Sequence, residues 1–196
     1  MDDIERAVTA IRDGKLVVYP TETVYGLGAD ALDPDAIGRV FDAKRRAREK
    51  PISLAVPDVE SALSLVRPTE REREFMREFL PGPATVLCEK RDAVPDALTA
   101  GRTRVGVRIP DQPLALELLR RVAPTPVTST SANVSGRASA TREDDLDAEI
   151  RDAATVVLDG GETGGTASTV VNVERGEILR RGANADAIAA WLAVEE

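Results

Sequence analysis

KLVVYPTETVYGLG, residues 15–28, joins a run of apolar and β-branched residues to a loop of threonines and glycines. Lys15 to Tyr19 reads as a buried strand. Before it, Ile4, Ala7, Val8 and Ile11 fall at helical spacing, and Gly14 can end that helix. A strand that leaves a helix and ends in a polar loop is the repeating unit of an α/β sheet, and ligands of such sheets favour the loops at strand ends.

The same alternation continues outward. Asp33-Pro34 opens a helix as N-cap and first-turn proline, with Ile37, Val40 and Phe41 turned inward. Ile52 to Val56 is a strand, and Asp58 caps a helix after it. Thr69 with Glu72 makes a capping box for a helix carrying Phe75, Met76 and Phe79. Pro81-Gly82-Pro83 is a stop, followed by strands at Ala84 to Glu89 and Arg104 to Ile109. Pro113 to Val122 is an amphipathic helix, Val127 to Thr130 a short strand, and Thr141 to Ile150 a further helix. Strands follow at Thr155 to Leu158, Ser168 to Val173 and Glu177 to Arg181, the last two as a hairpin around Arg175-Gly176. Ala185 to Val194 closes as a helix. The glycine-rich segment at 160–167 is a loop between strands. The expectation is an α/β protein of one domain, residues 1–196, with an open mixed sheet covered by helices.

Composition removes whole classes of chemistry. The chain of 196 residues has no histidine, so Ser-His-Asp triads, Cys-His pairs and histidine-bound metals are excluded. Its one cysteine, Cys88, leaves no internal disulfide and no cysteine zinc site, which suits a reducing cytoplasm. No protein-held metal is expected; a metal would be hard, oxygen-bound and carried by a phosphate substrate. No stretch reaches the ~18 apolar residues of a membrane span, and the acidic start Met1-Asp2-Asp3 does not read as a signal peptide. Acidic side chains outnumber basic ones 34 to 26, a net charge of -8. Lysine occurs only at positions 15, 44, 50 and 90. An acidic, lysine-poor surface fits a cytoplasm of high salt, where surface charges are screened.

Five constellations could carry chemistry. Pro20 to Gly28 places two hydroxyls, a carboxylate and two glycines at a strand end; it fits a small polar ligand, and equally a turn whose hydroxyls cap the backbone. Lys44 to Lys50 (KRRAREK) is the densest basic run. A helix end accounts for some of that charge, but five cations suit a polyphosphate better. Thr128 to Ser139 gathers hydroxyls, Asn133 and Gly136 after a strand, suited to phosphate or ribose or to a plain loop. Arg104 and Arg108 are an even number apart on a strand with Arg102 just before, so the two share a face and could grip a carboxylate or phosphate, or pair with surface acids. Ser168-Thr169 precedes a strand, with Arg180 on the next. No GxxxxGK[ST] loop is present, so ATP would be held by scattered side chains.

In this order the segments resemble the YrdC-like family of threonylcarbamoyl-AMP synthases. The likeness rests on PTETVYGLG at 20–28, Lys44 and Arg46 as K-x-R, PGP at 81–83 and RVGVRIP at 104–110. It continues with Ser131 and Asn133 as S-x-N followed by SGRAS, then STVVNV and ILRRG. The resemblance implies an open, twisted mixed sheet flanked by helices, with a concave basic cavity. It implies that L-threonine, bicarbonate and ATP give threonylcarbamoyl-AMP and pyrophosphate, with Mg²⁺ accompanying ATP. Separate threonylcarbamoyl-transferase machinery would then modify adenosine in tRNA. By motif position, Thr23, Arg108, Ser129 and Ser168 would hold L-threonine. Lys44, Arg46, Lys50, Arg104, Ser131, Asn133, Ser139 and Arg180 would hold ATP. The chain departs from the family pattern at Lys50, where many relatives have asparagine, at Ala55, where some have histidine, and at Arg104, where threonine is frequent. It has the length of the short form. A paralogue acting on a related compound is one alternative. Another is an RNA-binding module, for tRNA or double-stranded RNA, using the same cavity; the acidic charge and the few aromatics weigh against it.

Overall fold

A computed structural model describes residues 2–194. Helix α1 (Asp3–Arg12) leads into β1 (Leu16–Tyr19), β2 (Gly26–Gly28) and α2 (Pro34–Ala43). Next come β3 (Ser53–Ala55), α3 (Val59–Leu63), β4 (Val66–Arg67), α4 (Glu70–Phe79) and β5 (Ala84–Lys90). Then follow α5 (Asp96–Thr99), β6 (Arg104–Arg108), α6 (Pro113–Val122) and β7 (Val127–Ser129). The chain ends through α7 (Ala148–Ala153), β8 (Ala154–Val157), β9 (Thr169–Asn172), β10 (Glu177–Arg180) and α8 (Ala185–Leu192).

Local chemistry sets the starts of the helices. The Asp33 carboxylate accepts from Asp35 N and Pro34 stands in the first turn of α2. Thr69 and Glu72 form the reciprocal capping box of α4, and Asp58 accepts from Ser61 N at α3. Each such cap contributes about 1 kcal/mol.

The larger sheet runs β10-β9-β5-β6-β3-β7, with β4 paired to the far end of β5. It is mixed: β5 runs parallel to β9 and antiparallel to β6, while β3 runs parallel to β6 and antiparallel to β7. A smaller sheet, β2-β1-β8, joins it through bridges from Gly26 to Ser131 and from Asp30 to Val127. Helices α1 and α6 pack Val8, Ile11, Leu118, Leu119 and Val122 against Val17 and Val156. The second core, around Phe41, Leu54, Phe75, Met76, Val86 and Val107, draws on α2 and α4. The layered α/β architecture is the one expected, and it leaves one side of β6 and its neighbours to a cavity.

One helix differs from expectation. Thr141 to Ile150 does not form a helix throughout; a 3-10 turn at Glu143–Asp145 is followed by α7, which starts at Ala148. The Asp147 carboxylate is taken by Val134 N at 2.8 Å and by Arg137 at 2.9 Å, which holds residue 147 outside the helix. These contacts outcompete the local helical pattern.

Candidate functional site

A cavity of about 600 Å³ lies over β6, β3, β5 and β9, reached by the ends of β1, β7 and β10. The two-residue period of β6 puts Arg104, Gly106 and Arg108 along it, while Val105 and Val107 are buried in the core. A Cβ on Gly106 would stand 2.2 Å from Ser53 Oγ and 2.9 Å from Thr85 Cγ2, both of which line the cavity. The floor therefore requires glycine. Gly28 answers a different need: a Cβ there would meet Val127 at 2.7 Å and the Tyr19 ring at 2.9 Å. This glycine makes room for protein packing.

At one end sits Arg108, only 8% exposed. Its Nη2 donates to Thr23 Oγ1 at 2.7 Å, to Glu22 Oε1 at 3.0 Å and to Thr21 Oγ1 at 3.3 Å. Thr21 in turn donates to Val24 O at 2.6 Å, which fixes the turn that carries all three. Ser129 reaches the same cavity from the end of β7. Burial pushes the Tyr19 phenol up to about 12, with the Arg108 charge pulling the other way. The glycine-rich loop packs on this end: Gly164 N donates to Glu22 O at 3.2 Å and Gly165 N to Thr23 O at 2.6 Å.

Arg180 forms the middle of the wall. Its Nη2 donates to Ser168 O at 2.8 Å and to Ser168 Oγ at 3.0 Å, and that hydroxyl lies 3.1 Å from Thr85 Oγ1. Burial lowers the Arg180 pKa from its usual range, and the nearby charges of Arg108 and Arg46 push the same way. Arg46 is held by the carbonyls of Lys50 and Pro51, each at 3.0 Å. Ser131 and Ser139 face the same space. Among the described residues neither Arg46 nor Arg180 is paired with a carboxylate, so both charges remain available to a ligand.

The structure thus brings nine of the expected residues to one cavity: Thr23, Arg46, Arg104, Arg108, Ser129, Ser131, Ser139, Ser168 and Arg180. Three others stand apart. Lys44 is 2% exposed and turns inward, its ammonium donating to Asn133 O at 2.7 Å and to Ser131 O. Burial lowers its pKa to about 8, the charge of Arg46 adding to the effect. Asn133 is likewise buried, its amide donating to the carbonyls of Val134 and Arg137 at 2.9 Å while Ser139 Oγ donates to its oxygen. Both shape the Ser131–Ser139 loop from behind. Lys50 is exposed and touches the cavity wall only through its carbonyl. Arg104 lines the cavity but is already committed, to Glu72, to Glu174 and to Leu87 O at 2.8 Å. Sequence reading left Glu22 and Glu72 without a part in this geometry; the first sits inside the PTETVYGLG motif and the second hides in a capping box.

Residues 9–182 match the sequence pattern of the Sua5/YciO/YrdC family, described as telomere recombination. The chain belongs to this family. It is 38% identical over 172 residues to the threonylcarbamoyl-AMP synthase of Pyrococcus abyssi, covering 87% of this chain and 50% of that protein. It is 37% identical over 172 residues to the threonylcarbamoyl-AMP synthase of Bacillus subtilis, covering 86% of this chain and 49% of that protein. The crystal structure of P. abyssi Sua5 complexed with L-threonine superposes with a TM-score of 0.83 at 36% identity, over 93% of this chain and 55% of that one. The chain therefore spans about half the length of these relatives. Among the described residues, no helix is long and apolar enough to cross a membrane.

Proposed function

We propose that this protein makes threonylcarbamoyl-AMP from L-threonine, bicarbonate and ATP, for the modification of tRNA. The observation that carries the reading is one cavity that holds Arg108 among hydroxyls at one end and, beyond it, two serines with two arginines that are not paired with a carboxylate. That is the order a small amino acid and a nucleotide would need. The relative solved with L-threonine supports the first half of this assignment.

In this reading the cavity is basic and concave. Arg108, Thr23, Ser129 and Ser168 hold L-threonine. Arg46, Ser131, Ser139 and Arg180 contact ATP, and Arg104 and Lys50 stand at its periphery. Lys44 and Asn133 serve ATP by shaping the loop that carries Ser131 and Ser139. The amine of threonine adds to the bicarbonate carbon and water leaves, giving a carbamate. A carbamate oxygen then attacks the α-phosphorus and pyrophosphate departs. Such a transfer depends on positioning and charge neutralisation more than on a protein nucleophile, which suits a site of guanidinium and hydroxyl groups. Among the described residues no three His, Cys, Asp or Glu side chains group to hold a metal. The reading takes Mg²⁺ as part of the substrate, bound to the phosphates of ATP. A cytoplasmic setting and hand-over to a separate threonylcarbamoyl transferase belong to the same proposal.

The test is incorporation of isotope-labelled bicarbonate. With ATP and L-threonine, label should appear in a product with the mass of threonylcarbamoyl-AMP. Label retained only as bicarbonate, beside salt-sensitive binding of RNA to the pure protein, would replace this reading with the nucleic-acid one.

A further inference from the structure

Residues 131–139 carry two hydroxyls to the cavity, Ser131 and Ser139, but lie outside any helix or strand. Their shape comes from individual bonds. The peptide between Asn133 and Val134 is gripped on both sides. Its carbonyl, Asn133 O, takes the Lys44 ammonium at 2.7 Å. Its N–H, on Val134, donates to Asp147 Oδ2 at 2.8 Å. In a trans peptide these two groups point in opposite directions. An ammonium on one side and a carboxylate on the other therefore fix which way the plane faces. A flipped peptide would turn the carbonyl toward the carboxylate and the N–H toward the ammonium.

The plane matters because the Asn133 side chain hangs from it. That side chain organises the rest of the loop: its amide donates to Val134 O and Arg137 O at 2.9 Å, and its oxygen accepts from Ser139 Oγ at 3.4 Å. Asp147 thus reaches Ser139 through a continuous run of bonds.

A second observation sets Asp147 apart. It stands at the N-cap position of α7, where an aspartate ordinarily accepts from the first N–H groups of its own helix. It makes no such bond. Its two oxygens go instead to Val134 N and to Arg137 Nη1 at 2.9 Å. The Arg137 side chain is half-exposed and also held by Glu149, so that ion pair contributes little by itself. The bond to Val134 N is the one that shapes the loop.

We infer that Asp147 is a positioning residue for ATP, which fixes the 133–134 peptide against Lys44 and so presents the Ser131–Ser139 loop to the nucleotide. It acts through Val134 and Asn133 from outside the cavity wall. The inference rests on the reading that this loop contacts ATP.

Calorimetric titration of the wild type, Asp147→Ala, Asp147→Asn and Asp147→Glu with MgATP and, separately, with L-threonine tests it. Asp147→Ala should weaken ATP by about tenfold and leave threonine within about twofold, the effect of one lost charged hydrogen bond on one ligand. Asp147→Asn keeps an oxygen acceptor for Val134 N and should hold ATP within about threefold of the wild type. Asp147→Glu keeps the charge but carries it one methylene further out. It should weaken ATP by about threefold or more, and it decides the matter if Asp147→Ala does not fold. A merely structural role would lower the fraction of folded protein, which changes the stoichiometry of the titration and leaves the dissociation constant alone. ATP affinity unchanged in both Asp147→Ala and Asp147→Glu would overturn the inference and leave the ATP reading intact. So would equal losses for ATP and threonine, or an Asp147→Asn variant as weak as Asp147→Ala. Absence of ATP binding to the wild type would overturn both.

Discussion

Replacing Arg104 by methionine strands a carboxylate. Glu72 is 0% exposed, and its two oxygens take Arg104 Nη2 and, at 2.8 Å, Thr69 N. Arg104 itself is 21% exposed at the side chain and reaches Glu174 and Leu87 O as well. Removing one partner of a buried pair costs about 3–5 kcal/mol, because the other charge stays buried without compensation. The capping bond from Thr69 persists and Arg104 borders the cavity, so the lower figure applies, about 3 kcal/mol. For a chain of this size that is a fall in Tm of about 6–12 °C. The double variant Arg104→Met/Glu72→Gln keeps an acceptor for Thr69 N and removes both charges. It should recover most of the loss, since a buried ion pair is worth little against neutral groups of similar size. Urea unfolding of the wild type, the single variant and the double variant gives the comparison. A single variant within about 0.5 kcal/mol of the wild type, or a double variant less stable than the single one, would refute the reasoning.

Other expectations follow from the cavity. Arg46→Ala loses two hydrogen bonds to carbonyls, about 1 kcal/mol each, yet should lower turnover by about a hundredfold or more; thermal melting beside a steady-state assay separates the two, and a collapsed Tm would contradict it. Ser131→Ala should raise KM for ATP by about 3–10-fold and leave that for threonine within about twofold, and an equal loss of both would place Ser131 elsewhere. Lys44 gives a pH test. Burial lowers its pKa in the folded protein to about 8 from 10.5, so in that window the unfolded chain binds more protons and stability from this group rises with pH. Urea midpoints for the wild type should therefore gain on those of Lys44→Met between about pH 7 and pH 9.5; a shrinking gap would mean that the two carbonyl acceptors outweigh burial.

What could be read from the sequence was mostly local. Asp33-Pro34, Asp58 and the Thr69/Glu72 box mark helix starts because a cap and its backbone partner lie within three residues. The even spacing of Arg104 and Arg108 placed both on one face because a strand has a period of two. What escaped depends on distant partners. Lys44 sits in a basic run that reads as a polyphosphate site, but its ammonium ends on carbonyls more than eighty residues away in sequence. Glu72 reads as a cap, and only the fold brings Arg104 to its second oxygen. The start of α7 was misplaced because Asp147 is drawn off by Val134 and Arg137.

The most direct measurement is pyrophosphate release from MgATP by the purified protein, at high and low salt, with L-threonine and bicarbonate omitted in turn. The proposed synthesis predicts release that requires both. Release that proceeds with either one missing, or none from folded protein with all three present, would contradict it.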